Sequence, residues 1–126
     1  VLEKVFEVIG NEQREAGCVQ AEIIEKAQAY IQTHYSEYDL CATTLAEYIG
    51  VSSPYLGKIF KQQTGKSIPE YINEVRLLKA SVWLKNTELS TQEIALNAGY
   101  QNSTYFYKVF KQKFGVTPKS YRSNSI

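Results

Sequence analysis

The chain is 126 residues long with a 44% hydrophobic fraction and a net charge of only +1, which fits one ordinary globular domain or two very small ones sharing a core. No apolar run approaches the ~18–20 residues of a membrane span and no signal-peptide pattern opens the chain. A chain without a membrane span is expected, and a cytoplasmic location with it.

The charge is unevenly spread. Residues 1–50 hold 3 Lys/Arg against 9 Asp/Glu, whereas residues 51–126 hold 11 against 4. An acidic front and a basic back point to a polyanion partner for the basic part. The chain has no Met, so a fragment of a longer protein is expected, although a removed initiator would look the same. Cys18 and Cys41 are too few and too far apart for a zinc or redox motif. Two small buried or half-buried thiols in a reducing compartment are expected instead. His34 is the only histidine and has no cluster around it that would support a metal or catalytic role.

In chain order, residues 1–10 place Leu2, Val5, Phe6 and Ile9 on one apolar stripe of a short helix. A helix that short needs a partner to hold it, either the body of this chain, an upstream domain or a second copy of the chain. Residues 11–17, NEQREAG, read as a polar connector. From about Val19 to Tyr35 the positions Ile23, Ile24, Ala27, Tyr30 and Ile31 follow a helical period. Every later apolar segment also has helical spacing, and the fold is predicted to be all-α.

Ala46 is followed by Gly50, then by Leu56 and Ile59. Two helices crossing steeply need a very small residue at their contact, and the sharp turn between them favours a residue free to adopt positive φ. Leu56 and Ile59 then face back onto the first helix, whose successor is predicted to start with Ser53 as cap and Pro54 at the first helical position. The pattern recurs as Ala95, Gly99, Phe106 and Val109, with one residue added in the second turn. A capping box of Ser90 and Glu93 opens this second hairpin, and Asn102 or Ser103 caps its second helix. The stretch YLGKIFKQQTG from Tyr55 thus returns as YFYKVFKQKFG from Tyr105. These are two helix-turn-helix units, over about 42–64 and 91–114. A solenoid is disfavoured because there are only two copies and a distinct helix joins them.

That joining helix is expected over about 69–85. Ile72, Val75, Leu77, Leu78, Ala80 and Leu84 give it more apolar surface than a one-faced helix needs, so it is expected to pack on both hairpins. The sixteen residues from Pro69 to Leu84 span roughly 24 Å, and major grooves on one face of DNA recur at about 34 Å. A strut of that length, with a hairpin extending past each end, suits successive grooves with some bending of the DNA. About seven helices are expected in all, preceded by the short N-terminal one.

The stretches LAEYIGVSSPYLGKIFKQQTGKSIPEYINEVRLLKA and IALNAGYQNSTYFYKVFKQKFGVTPKSYR resemble the DNA-binding domain of the AraC/XylS family of bacterial transcription regulators. The second is the more specific, through its aromatic-rich helix followed by FG-x-TP-x-x-YR. The resemblance covers about residues 20–122. It implies two helix-turn-helix units reading double-stranded promoter DNA, attached to a sensing, dimerising or phosphoacceptor domain; on this basis residues 18–126 form the DNA-binding domain and 1–17 belong to the upstream region.

By position, the resemblance implies base-facing roles for Pro54, Gly57 and Lys58 in the first unit and for Ser103, Thr104, Tyr107 and Lys108 in the second. Gly57 has no side chain to bond a base and Pro54 offers only apolar contact, so the second unit is expected to carry more of the specificity. Lys58 and Lys108 stand where relatives commonly have Arg, which reads guanine bidentately. Lys61, Lys111 and Lys113 are expected on outer helix faces as phosphate contacts, joined by Ser53 and by Arg122 from a last short helix anchored by Pro118 and Tyr121. Tyr55 and Tyr105 either bond phosphates or pack at the helix seam. Phe60, Phe110, Ile59 and Val109 are assigned to the core, and Trp83 to packing. RNA polymerase is a further candidate partner, and the rival reading is a protein-interaction module with basic faces turned to an acidic partner. No nucleophile–base pair, glycine-rich phosphate loop or metal cluster supports an enzyme or a cofactor.

Overall fold

A computed structural model of the chain describes residues 12–124, with side chains from residue 19 onward. Seven α-helices form among these residues: α1 Glu12–His34, α2 Ala42–Ile49, α3 Ser53–Thr64, α4 Ile68–Asn86, α5 Thr91–Asn97, α6 Ser103–Phe114 and α7 Pro118–Ser123. The fold is all-α, with two helix-turn-helix units, α2–α3 and α5–α6, joined by α4. The short helix expected over residues 1–10 lies outside the described residues. Helix α1 begins at Glu12 rather than near Val19, and so runs through the stretch expected to be a connector. Glu12, Gln13, Arg14, Glu15 and Ala16 are good helix formers. Periodicity misses such a segment because it detects only helices with an apolar stripe.

Two separate cores sit on the two halves of α4. The first gathers Ile24, Ala27 and Ile31 of α1, Leu45 and Ala46 of α2, and Leu56, Ile59 and Phe60 of α3 around Ile68, Ile72 and Val75. The second gathers Ile94, Ala95, Phe106 and Phe110 around Leu77, Ala80 and Leu84, with Trp83, Val109 and Tyr121 packed against it. The excess apolar surface of the joining helix is thus divided between the two ends, except that Leu78, expected to pack, is 50% exposed and belongs to neither core. Its 19 residues span about 28 Å. It touches α1 and α3 at one end and α5 and α7 at the other. Tyr121 meets the Phe110 ring edge-on at 5.4 Å, and Pro118 is buried, so α7 is pinned under α6.

Local chemistry fixes the helix starts. Ser67 and Glu70 form a capping box on α4, with Glu70 N–H donating to Ser67 Oγ at 3.2 Å and Ser67 N–H to Glu70 Oε1 at 2.8 Å. The Ser90–Glu93 box caps α5 as expected. Asn102 rather than Ser103 caps α6, accepting from Thr104 N–H at 2.7 Å. The cap of α3 is one residue earlier than expected: Ser52 Oγ accepts from Tyr55 N–H at 3.3 Å, Ser53 is the first helical residue and Pro54 the second. Both serines have capping chemistry. Only Ser52 has the extended backbone that aims its oxygen at the open amides.

Cys41 also departs from expectation. It is exposed because it stands at the N-cap of α2, ahead of the buried stripe that begins at Leu45. A hydrogen bond from the Thr44 backbone N–H holds its thiol below the usual range.

The turns of the two hairpins start alike. Val51 N–H donates to the Ala46 carbonyl at 3.1 Å and Tyr100 N–H to the Ala95 carbonyl at 3.0 Å, which makes Val51 and Tyr100 equivalent. The residue added in the second turn is therefore Gln101.

Candidate nucleic-acid interface

The second helix of each hairpin has one buried and one exposed face. In α3 the buried residues are Leu56, Ile59 and Phe60, and in α6 they are Phe106 and Phe110. The side opposite carries exposed Pro54, Lys58 and Lys61 on α3 and exposed Thr104, Lys108 and Lys111 on α6. Lysines i and i+3 lie one above the other along a helix, so each helix presents a short cationic ridge. The ion pair of Lys61 with Glu70 is 3.8 Å long between side chains that are 60% and 62% exposed, and such a surface pair is worth little. It leaves Lys61 available to an outside anion.

Gly57 and Tyr107 are equivalent and differ most. A Cβ built on Gly57 meets nothing within 4 Å, so α3 is open to close approach at that point. Gly57→Ala is expected to stabilise the folded chain by about 0.5–1 kcal/mol, since helical glycine costs that much in backbone entropy; a raised midpoint in thermal melts checks this. Tyr107 is half-buried, and its hydroxyl lies 3.0 Å from Thr91 Oγ1 at the start of α5. The ring is thereby oriented by the neighbouring helix. Ser103 and Ser53 are half-buried in the first turns of their helices.

Three other residues assigned to anion contact, Tyr105, Arg122 and Lys113, have partners within the protein. Tyr105 is 47% exposed, and its hydroxyl accepts from Asn73 Nδ2 of α4 at 3.3 Å. Tyr55, 39% exposed, lies on the outer side of α3. Arg122 donates to the carbonyls of Leu84 at 3.0 Å and Thr87 at 3.1 Å, and so satisfies open carbonyls at the end of α4. Lys113 pairs with Glu74 at 3.5 Å and lies 5.9 Å from the Phe114 ring centroid.

Glu74 also pairs with Lys66, so a carboxylate of the joining helix is bound from both sides. The groove there is lined by Lys66, Glu70, Asn73, Glu74, Val109 and Lys113. The hydrogen bond from Lys66, helped by the charges of Lys66 and Lys113, holds the Glu74 carboxyl below its usual range. Because the folded protein keeps it ionised to lower pH than the unfolded chain does, its contribution is complete above about pH 4.3. It is lost as pH falls through the depressed folded value. Glu74→Gln should therefore cost under about 1 kcal/mol at pH 7 and flatten the acid limb of the stability profile below pH 4.5. Denaturant melts at a series of pH values test this.

Sequence reasoning missed Asn73 and Arg76, which lie where the two units meet. A signal was present: Arg76 sits inside the apolar run of α4, between Val75 and Leu77. A lone charge there reads as the helix's wet side until burial is known. Among the described residues no group of three or more His, Cys, Asp or Glu is placed to hold a metal ion. No helix among them is long and apolar enough to cross a membrane.

The fold and the two cationic ridges define a double helix-turn-helix domain. A family model described as a helix-turn-helix domain matches residues 45–124, and the chain belongs to the AraC/XylS-like helix-turn-helix transcription regulators. It is 37% identical over 124 residues to an HTH-type transcriptional regulator in the cgkA 5' region of Pseudoalteromonas carrageenovora, covering 94% of this chain and 72% of that protein. It is 35% identical over 99 residues to the regulatory protein PocR of Salmonella typhimurium, covering 79% of this chain and 32% of PocR; the chain thus spans about a third of that relative. Among solved structures, the C-terminal domain of AraT, a response regulator from Geobacillus stearothermophilus, superimposes with a TM-score of 0.79 at 40% identity, covering 80% of this chain and 84% of that one.

Proposed function

We propose that the chain binds double-stranded promoter DNA sequence-specifically, with α3 and α6 as recognition helices in successive major grooves, and that it regulates transcription from the promoters it binds. The observation that carries this reading is the pair of exposed lysine ridges, Lys58/Lys61 and Lys108/Lys111, each backed by its own core on a shared helix. On this reading Pro54, Gly57 and Lys58 face bases in one groove and Ser103, Thr104, Tyr107 and Lys108 face bases in the next. Ser53, Tyr55, Lys61, Tyr105 and Lys111 grip phosphates. Lys113 and Arg122 reach the backbone only by sharing or leaving their protein partners, so their share of the affinity is smaller.

The helix N-termini add to the grip. The first turns of α6 and α3 hold no acidic residue, so the positive end of each helix dipole favours an anion beside the caps Asn102 and Ser52. The second unit carries more of the sequence reading, since α6 offers Thr104 and Tyr107 where α3 offers Pro54 and Gly57. The test is a duplex titration against the best site selected from a random library, with excess non-specific DNA present. Lys108→Ala should cost about 1–3 kcal/mol and relax the preference at one base pair, whereas Lys111→Ala should weaken all sequences alike and lower the salt slope by about 1. Affinity indifferent to both changes and to salt would instead favour an acidic protein partner for the same ridges.

A further inference from the structure

We infer that a buried polar cluster centred on Arg76 sets the angle and separation of the two helix-turn-helix units, and thereby the spacing between the two DNA segments the chain accepts; this rests on the DNA-binding reading above. Arg76 lies near the middle of α4, between the residues that feed the first core and those that feed the second. It is only 8% exposed. Its Nε donates to the Tyr35 carbonyl at 2.9 Å and its Nη2 to the Glu37 carbonyl at 2.8 Å, both in the segment that leaves α1. Its guanidinium carbon lies 5.3 Å from the Tyr100 ring centroid, in the turn of the second hairpin. One side chain therefore holds the first unit, the joining helix and the second unit together.

The partners around Arg76 reinforce the same junction. A Cβ built on Gly99 would lie 2.2 Å from the Tyr35 carbonyl oxygen and 2.8 Å from Arg76 Nε, so the backbones of the two units approach each other at this point. Tyr100 hydroxyl donates to Asn73 Oδ1 at 2.7 Å, and Asn73 Nδ2 donates to the Tyr105 hydroxyl at the start of α6. Burial pushes the Tyr100 hydroxyl well above the usual phenol range, so it stays a donor at every physiological pH. Among the described residues no carboxylate pairs with Arg76, and carbonyls with the Tyr100 ring face satisfy it instead. Such an arrangement is directional. Buried polar groups with fixed partners tolerate only the geometry that satisfies them all, whereas apolar contacts between two units permit sliding. The cluster joins the two cores, since Tyr100 belongs to the second and Tyr35 packs against the first.

Arg76 and Asn73 thus act as positioning residues, through Tyr100 and Tyr105 of the second unit. The experiment uses the whole chain with Arg76→Met and Asn73→Ala, and the site selected for the unaltered chain. The segment between its two contacted blocks is lengthened or shortened one base pair at a time, and affinity is read by fluorescence titration. The unaltered chain should favour one spacing over its neighbours by at least about tenfold, because a misplaced block loses one unit's contacts. Both variants should flatten that preference to within about threefold while keeping the base preferences inside each block. A variant that melts cooperatively and keeps the original spacing profile overturns the inference. So does loss of cooperative melting in both variants, which would assign the cluster to folding of the units rather than their alignment. Failure of the unaltered chain to bind any duplex would instead overturn the DNA-binding reading, and the two failures are distinct.

Discussion

Gly99→Ala is expected to cost about 3–5 kcal/mol, whereas Gly50→Ala at the equivalent turn should cost only about 1–2 kcal/mol. Both glycines adopt left-handed backbone, with φ of 105° and 93°, so an alanine at either meets the penalty of that region. Around Gly50 a new Cβ meets nothing within 4 Å, but at Gly99 it would stand 2.2 Å from the Tyr35 carbonyl oxygen. A backbone oxygen that close has to move, and it cannot do so without breaking its bond from Arg76 Nε. The cost therefore includes disruption of a buried charged hydrogen bond as well as overpacking. Thermal unfolding of the two variants, followed by circular dichroism, should place Gly99→Ala roughly 10–20 °C below the unaltered chain. Equal shifts for the two variants would show that the units do not meet at Gly99.

Replacing Lys58, Lys61, Lys108 and Lys111 together by Gln should lower duplex affinity by at least on the order of a thousandfold near physiological salt and reduce the slope of log affinity against log salt by about 2, the share of the two phosphate-gripping lysines. Each phosphate contact of Lys61 and Lys111 releases close to one counterion, worth about 1 kcal/mol at that salt, each base contact of Lys58 and Lys108 is worth about 1–3 kcal/mol, and all four lysines are exposed on the outer sides of α3 and α6. Gln keeps helix propensity and side-chain length, and none of the four belongs to either core. Stability should stay within about 1 kcal/mol, so the loss is one of binding rather than folding. Titrations at four or five salt concentrations give the slope directly.

The architecture was legible because it is written twice in apolar and small residues. Ala46 and Gly50, repeated as Ala95 and Gly99, fix where two helices cross. Ser90 and Glu93 announce a helix start, and Ile72, Val75, Leu77 and Leu84 announce a helix with more than one partner. The start of α1 was hidden because Glu12 to Ala16 carry propensity without periodicity. The α3 cap was misplaced by one residue because Ser52 and Ser53 differ only in backbone angle, which composition does not encode. Cys41 was expected inside because thiols usually are, and only its place at a helix start puts it in solvent.

The candidate interface was legible in a different measure. Helical period assigns Lys58, Lys61, Lys108 and Lys111 to outer faces, since Leu56, Phe60, Phe106 and Phe110 claim the inner ones. It says nothing of which cations are already engaged. Lys113 with Glu74, and Arg122 with the end of α4, depend on contacts across about forty residues of chain, which no local pattern carries. The same holds for Arg76. Its equivalence to a solvated charge in the sequence, and its place at the meeting of two units in the fold, differ only through long-range packing. Gly50 and Gly99 make the point most simply, because one repeat letter serves a turn alone and the other serves a turn and a junction.

The most direct measurement of the central claim is a hydroxyl-radical footprint of the chain on its selected duplex. Two recognition helices on one rigid body predict two protected patches on the same face of the DNA, centred about one helical turn apart, with the stronger base preference in the patch that loses protection in Lys108→Ala. A single patch confined to one groove, or protection abolished by excess non-specific DNA, would contradict it.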